Sequence, residues 1–473
     1  MTAPTTLFFI CIGTRGDVQP YLALAQGLKS RRPNQFKMVF LAHPEFESFV
    51  LKHNAIDVFH PIAPSMIHEA NMTEVGREAK KHQSLLNLEP ARQFFTNLFR
   101  GWTGCVKSAL ELHGPADVMF CTQFAARPNI LGLIKSLPVD QQPRINVLHT
   151  FPSYPTWECV PPMLNLGSSL PLGLLNALAW KFESAVAHGY IDLPAAQLVC
   201  KEFGIEPWPA NGEDPKYAIA REPTWAAQHI YSLALYGRPA DWPANQQVVG
   251  FLPYSPPTAA ARLPANLDAF VDTAKARGKP VVYVGFGSML GVAFESDEVI
   301  LDILQRVYNG LVGAHAQYPG GFRAILHTVT SQTGGFLIPD SAVAAISSDV
   351  AAEIDILVLT EPVAHDLLFP KCDVAVQHGG VGTLQTSLMH GCVPVVFPCL
   401  AVTDQPFWAS VVAKRGMGVN GGPAIQMTAD SFSASVQAAL QGLNGFKSVV
   451  GAVSEGIKRD DAVEKVLAWL EEC

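Results

Sequence analysis

Val374-Ala375-Val376-Gln377-His378-Gly379-Gly380-Val381-Gly382-Thr383 passes from an apolar strand through a glycine turn into a helix that Gly391 and Pro394 bring to an end. Strand, glycine turn and helix in that order are one unit of a parallel α/β sheet. The turn also suits an anion: glycines let the backbone approach it closely, the helix N-terminus offers free N–H groups and partial positive charge, and Thr383 adds a hydroxyl donor. His378 would stand beside a diphosphate held there. The alternative is an ordinary strand-to-helix turn with a core histidine, and the residues downstream weigh against it.

Downstream, the strand Val393 to Phe397 ends and a loop delivers Asp404-Gln405-Pro406-Phe407-Trp408. A carboxylate beside an amide is what a sugar needs, because adjacent hydroxyls are held by paired acceptors and donors. Both groups would emerge at the carboxyl end of the sheet, where open α/β sheets bind ligands. Upstream, the same half holds strands Pro280 to Gly285, Arg323 to Thr328 and Ile354 to Leu359, with a helix near Asp297 to Tyr308.

The first half repeats this architecture without repeating its sequence. Leu7 to Ile12 is a strand, Gly13-Thr14-Arg15-Gly16-Asp17 a turn, and Leu22, Leu24, Ala25 and Leu28 come next at helical spacing. Strands Lys37 to Ala42, Asp117 to Thr122 and Arg144 to His149 complete the series. The reading is α/β, with two Rossmann-like doubly wound domains facing a central cleft. Residues 1–250 form the first domain, 251–262 a proline-rich linker, and 263–453 the second domain, which carries the anion and sugar residues. Residues 454–473 form a terminal helix with one buried face, packing back toward the first domain.

Bulk properties agree. A chain of 473 residues exceeds what one core usually organises, and 49% apolar content with 16% charged residues suits large buried sheets. A net charge of -8 and the lack of long Lys/Arg runs argue against nucleic acid as a partner. The nine scattered cysteines lack metal or CxxC spacing and read as reduced thiols of a cytoplasmic protein. No secretory signal opens the chain. Met163 to Trp180, the longest nearly uncharged segment, is interrupted by glycine, serine and proline; it reads as a loop and helix, with contact to a membrane surface left open. A Rossmann dehydrogenase is excluded, because Gly13 to Asp17 lacks the GxGxxG spacing.

The run from Pro362-Val363-Ala364-His365-Asp366 through His378-Gly379-Gly380-Val381-Gly382-Thr383 to Asp404-Gln405-Pro406-Phe407-Trp408 resembles the donor signature of family 1 UDP-glycosyltransferases, especially sterol glucosyltransferases. Gly13 to Pro20, Arg238 to Pro243 and Gly285-Phe286-Gly287-Ser288 resemble the same subfamily, in the right order along nearly the whole chain. The resemblance implies a GT-B fold and hexosyl transfer from a UDP-sugar, most simply UDP-glucose, with inversion to a β-glycoside. The acceptor would be a small lipophilic molecule such as a sterol, with phenolics, flavonoids and hydroxy lipids as alternatives. It also implies residue roles: His378, Gly380, Gly382 and Thr383 on the diphosphate, Ser288 beside them, Asp404 and Gln405 on the sugar, and Val363 at the uracil edge. Ala364 stands where the family usually has proline.

For catalysis the acceptor hydroxyl needs a general base. Asp17 is the first candidate: it comes after the first strand on the Gly13/Gly16 turn, and the family places an acidic residue there. A helix N-terminal cap is its other reading. Thr14 and Arg15 would reach the donor from the opposite domain, Arg15 compensating phosphate charge. His149, at a strand end, is the second candidate base. Phe94, Phe95, Phe99 and Trp102, with the loop Thr150 to Trp157, offer aromatic surface for a flat apolar acceptor, or else core. No DxD pair or metal cluster is visible, so a metal-independent enzyme without cofactor is expected, acting as a monomer. A non-catalytic nucleotide-sugar binder or a nucleotide-sugar epimerase are the competing classes.

Overall fold

Short apolar strands alternating with helices build two parallel sheets in the computed structural model, which describes residues 4–81, 88–255, 262–287, 289–294, 296–330, 336–337, 355–360 and 363–472. The first sheet comprises β1 (Thr5–Cys11), β2 (Phe36–Ala42), β3 (Val58–Pro61), β4 (Val118–Thr122), β5 (Arg144–His149), β6 (Ala226–His229) and β7 (Gln246–Val248). Its spatial order is β3-β2-β1-β4-β5-β6-β7, with every pairing parallel. The second comprises β8 (Val281–Val284), β9 (Arg323–His327), β12 (Ile356–Leu359), β13 (Val374–Gln377), β14 (Val393–Val396) and β15 (Val419–Asn420), in the order β12-β9-β8-β13-β14-β15, again parallel. Between β9 and β12, β10 (Val329–Thr330) and β11 (Phe336–Leu337) pair antiparallel.

Each sheet is buried on both faces, and the period of two along its strands sorts the core. On β1, Phe8 and Ile10 join one apolar cluster while Leu7, Phe9 and Cys11 join the cluster on the other face. On β8, Val282 and Val284 part in the same way from Val281 and Tyr283. In each sheet the first strand lies between its second and its fourth: β1 between β2 and β4, β8 between β9 and β13. At such a switch point successive helices leave for opposite faces and open a crevice at the carboxyl ends. Gly13 to Asp17 comes after β1, Gly285 to Gly287 after β8, and His378 to Thr383 after β13.

The two halves are joined by a shared apolar cluster. Phe151, Trp180, Tyr231 and Trp242 from the first meet Leu384, Phe407, Trp408 and Val453 from the second. Inside it the backbone N–H of Ser232 donates to Gln385 Oε1 at 2.7 Å. The terminal span expected as one helix differs: residues 454–458 close helix α4 (Leu443–Lys458), and α5 (Ala462–Glu471) is a separate helix. Asp461 starts it by accepting from the Glu464 N–H at 3.1 Å. α5 buries Ala462, Val466 and Leu467 against the first sheet's cluster, and Arg144 donates to the carbonyls of Trp469 and Leu470.

Candidate functional site

The turn after β1 is shaped by Asp17. Helix α1 (Arg15–Arg31) begins in a capping box: Thr14 Oγ1 accepts from Gly16 N, and Asp17 Oδ2 accepts from both the N–H and the hydroxyl of Thr14, at 2.7 and 3.1 Å. The carboxylate folds back over Gly13, whose φ is +136°; a Cβ there would stand 2.2 Å from Asp17 Oδ2, so only glycine fits. His43, fully buried, holds the same turn. Its Nδ1–H donates to the Ile62 carbonyl at 2.8 Å, and its Nε2 accepts from Gly13 N at 3.4 Å. Cap and base are thus compatible readings of Asp17, since both bonds from Thr14 end on one carboxylate oxygen.

Burial pushes the Asp17 carboxyl up to about 6, against the bonds from Thr14 that favour its ionised form. Across the cleft, Asp404 immediately precedes α3 (Gln405–Lys414) and accepts from Trp408 Nε1 at 2.9 Å. Burial raises Asp404 to about 7, opposed by the bond from Trp408 and reinforced by the charge of Asp17. The two carboxyls, 387 positions apart by their numbers (404 − 17), therefore sense each other. Burial is the larger cause of the raised Asp404 value, and a negative charge on Asp17 adds to it.

The second wall is the turn after β13. Gly379 has φ +91° and a Cβ on it would meet Val396 Cγ1 at 2.7 Å, so the close return of the chain onto β14 requires glycine. Gly380, at the start of α2 (Val381–Met389), has no side chain with which to cap the first N–H groups of the helix. Among the described residues nothing lies within 4 Å of where a Cβ on Gly382 would point, and Thr383 is half-buried beside it. His378 donates to the Phe286 carbonyl, while its buried Nδ1 has no hydrogen-bond partner among the described residues; burial lowers it to about 4, so it is a neutral imidazole.

Arg15 reaches this wall from the first domain. Its guanidinium lies 4.6 Å from the ring centre of Phe49, and its charge, after burial and His327, contributes to holding His365 down to about 3. The charge of Asp17 thus reaches Asp404 across the domains, and those of Arg15 and His378 reach His365. Gln405 faces inward: its Oε1 accepts from the Cys399 and Leu400 N–H groups at 2.8 and 3.3 Å, and its Nε2 contacts Met289 Sδ. It shapes the loop carrying Asp404. Val363 packs against the Tyr283 and Phe369 cluster below the crevice. Ser288 lies outside the described residues.

His149 stands apart from this group. It is buried at the end of β5, its ring 5.2 Å from that of His229, its Nδ1 without a hydrogen-bond partner; burial, then His229, Lys216 and Arg127, hold it well below the usual histidine range. The expected aromatic wall divides. Phe94, Phe99 and Trp102 are buried on helix Glu89–His113 in the core of the first sheet, because the helical period turns them to that sheet. Phe151 is buried in the junction, and Trp157 is exposed.

Two partners lacked a role in the sequence reading. Trp408 fixes Asp404, at a spacing of i, i+4 that a helix beginning at 405 would bring together. Tyr283 links two histidines, its hydroxyl 3.0 Å from His327 Nδ1 and 3.1 Å from His365 Nε2, a contact between strands and loop that no local pattern signals. Among the described residues, no three His, Cys, Asp or Glu side chains gather as a metal site, and no helix is long and apolar enough to cross a membrane.

Residues 7–111 match the glycosyltransferase family 28 N-terminal domain. The chain is 24% identical over 467 residues to a sterol 3-beta-glucosyltransferase of Arabidopsis thaliana, covering 96% of this chain and 66% of that one. It is 26% identical over 422 residues to a sterol 3-beta-glucosyltransferase of Leptosphaeria maculans, covering 88% of this chain and 25% of that one. The chain therefore spans just under two thirds of its relative from the plant and a quarter of the fungal one. Among solved structures it superposes on the calicheamicin glycosyltransferase with TM-score 0.62 at 14% identity, covering 100% and 99% of the two chains. It superposes on the glycosyltransferase VinC, solved in complex with dTDP, with TM-score 0.61 at 13% identity, covering 98% of each. The two-sheet architecture is the GT-B fold.

Proposed function

We propose that this chain, whose residues 7–111 match the glycosyltransferase family 28 N-terminal domain, transfers a hexose from UDP-glucose to a hydroxyl of a small lipophilic acceptor, a sterol first among them. The observation that carries the reading is the pair Asp17 and Asp404, set on opposite domains at the carboxyl ends of two doubly wound sheets and electrostatically coupled across the crevice. One domain supplies a base, the other a sugar-facing carboxyl, and neither site is complete alone.

In the mechanism, Asp17 accepts the proton of the acceptor hydroxyl as that oxygen attacks the anomeric carbon. The bond between that carbon and the diphosphate oxygen breaks, UDP leaves with the electron pair, and the sugar inverts. With a carboxyl poised at about 6, Asp17 is ionised at neutral pH yet basic enough to share a proton in the transition state. The diphosphate would sit on the N-terminus of α2, against Gly382 and Thr383, with His378 Nδ1 and Arg15 in reach. Such a set neutralises the leaving group without a metal ion. Asp404, near half-protonation at neutral pH, can accept from or donate to a sugar hydroxyl. The full-length relatives named sterol 3-beta-glucosyltransferases support the acceptor class.

The test is incubation with UDP-glucose and a panel of sterols, flavonoids and hydroxy fatty acids, without added metal, read by mass spectrometry. A new hexosyl product identifies reaction and acceptor together. UDP-glucose left intact with every acceptor, while UDP still binds, would leave a nucleotide-sugar binder in its place.

A further inference from the structure

Helix Gly173–Glu183 is built inside out. Its inward side carries Asn176, Ala179 and Trp180, whereas Leu174, Leu175, Leu178 and Phe182 point to solvent on one stripe about 100° wide. Leu172, 63% exposed, and Trp157, 55% exposed, extend the stripe beyond the helix. Exposed single leucines are ordinary, but a contiguous apolar face on the outside of a fold is a binding surface.

The chemistry around the stripe selects its partner. From Cys159 to Phe182 there is no Asp or Glu; Glu158 and Asp241 stand at the Trp157 end, and Glu183 at the other end is paired with Lys216. The one charged residue in that stretch is Lys181, exposed beside the stripe in the last turn of the helix; Lys414 donates to the Ser169 hydroxyl, ahead of the first turn, at 3.2 Å. An apolar face with a tryptophan at its edge and cations along its border fits the boundary between acyl chains and headgroups. The inner face ties this helix to the crevice: Trp180 packs in the same cluster as Trp408, which holds Asp404, and Ser168 bonds Ser410 of α3 at 3.1 Å.

We propose that this face docks the protein on the surface of a lipid bilayer, Leu174, Leu178, Phe182 and Trp157 entering the acyl boundary while Lys181 and Lys414 meet anionic headgroups. It rests on the proposed transfer reaction only in its purpose, since a lipophilic acceptor would then pass from bilayer to crevice without crossing water. The helix lies on the membrane and does not span it.

The experiment is co-flotation of the full chain with vesicles of phosphatidylcholine, alone or mixed with phosphatidylglycerol. The triple variant Leu174→Gln, Leu178→Gln, Phe182→Gln keeps good helix formers on an exposed face and should fold normally while its flotation falls about tenfold or more. Lys181→Glu should lower binding about fivefold on the mixed vesicles and leave phosphatidylcholine alone little changed. A wild-type chain that stays soluble with both vesicles, or a triple variant that floats as well as wild type, overturns the proposal. So does a wild-type dimer that fails to float and that the triple variant converts to monomer, because the occupant is then a second copy. Flotation needs neither donor nor acceptor, so its failure and failure of the transfer reaction are read separately.

Discussion

At the scale of the residue, the two coupled carboxyls set the pH behaviour. Asp17 must be ionised to accept a proton, so kcat at saturating donor should rise as pH increases through about 6 and flatten above it, measured by initial rates. Asp17→Asn removes the charge that helps to hold the proton on Asp404; the pH at which UDP-glucose affinity changes should then move down from about 7, read by calorimetry across pH. The same raised values set the sign of the stability effect. A carboxyl whose folded-state value lies above its unfolded one contributes stability at low pH that is lost as pH rises through the folded value, so Asp17→Asn should not lower Tm at pH 8. Asp17 was legible in the sequence because a glycine turn after the first strand fixes where a following acid must stand. The inward turn of Gln405 was not, since its partners, the Cys399 and Leu400 N–H groups and Met289, belong to loop geometry and to another strand's turn.

At the scale of the element, the turn between β13 and α2 separates folding from binding. Gly379→Ala forces a side chain at φ +91° into Val396 and should cost about 1–3 kcal/mol of stability, seen in urea unfolding. Gly382→Ala meets nothing within 4 Å among the described residues and should leave Tm unchanged or slightly higher, yet raise the KM for donor, because the new methyl occupies the approach to the helix N-terminus. A Gly382→Ala enzyme with unaltered donor KM would remove the diphosphate from this turn. The apolar strands β1, β2, β4, β5, β13 and β14 were readable because each is a hydrophobic run ended by turn chemistry. Strands β6 and β7 were not: they span four and three residues and carry Gln228, His229 and Gln246, which only neighbouring strands and buried hydrogen bonds justify. The 25-residue helix Glu89–His113 was seen only as scattered aromatics, and its period turns Phe94, Phe99 and Trp102 into core.

At the scale of the whole molecule, the ends of the chain hold the first domain together. Leu467 on α5 is buried against the sheet that begins at Thr5, so Leu467→Ala should destabilise by about 2–5 kcal/mol although it lies beyond the donor half, measured by chemical denaturation. The two doubly wound halves were legible from alternation alone. Their mutual seating was not, because it depends on Trp180, Tyr231, Phe407 and Trp408 meeting across the junction and on one buried bond from Ser232 to Gln385. That seating places Asp17 opposite Asp404, and everything proposed for the reaction depends on it. The most direct measurement compares wild type and Asp17→Asn, with kcat for transfer from UDP-glucose to an accepted sterol measured beside UDP-glucose affinity. The predicted result is a fall in kcat of about 10²–10⁴-fold with donor affinity nearly retained. Turnover within a few-fold of wild type would contradict Asp17 as the base.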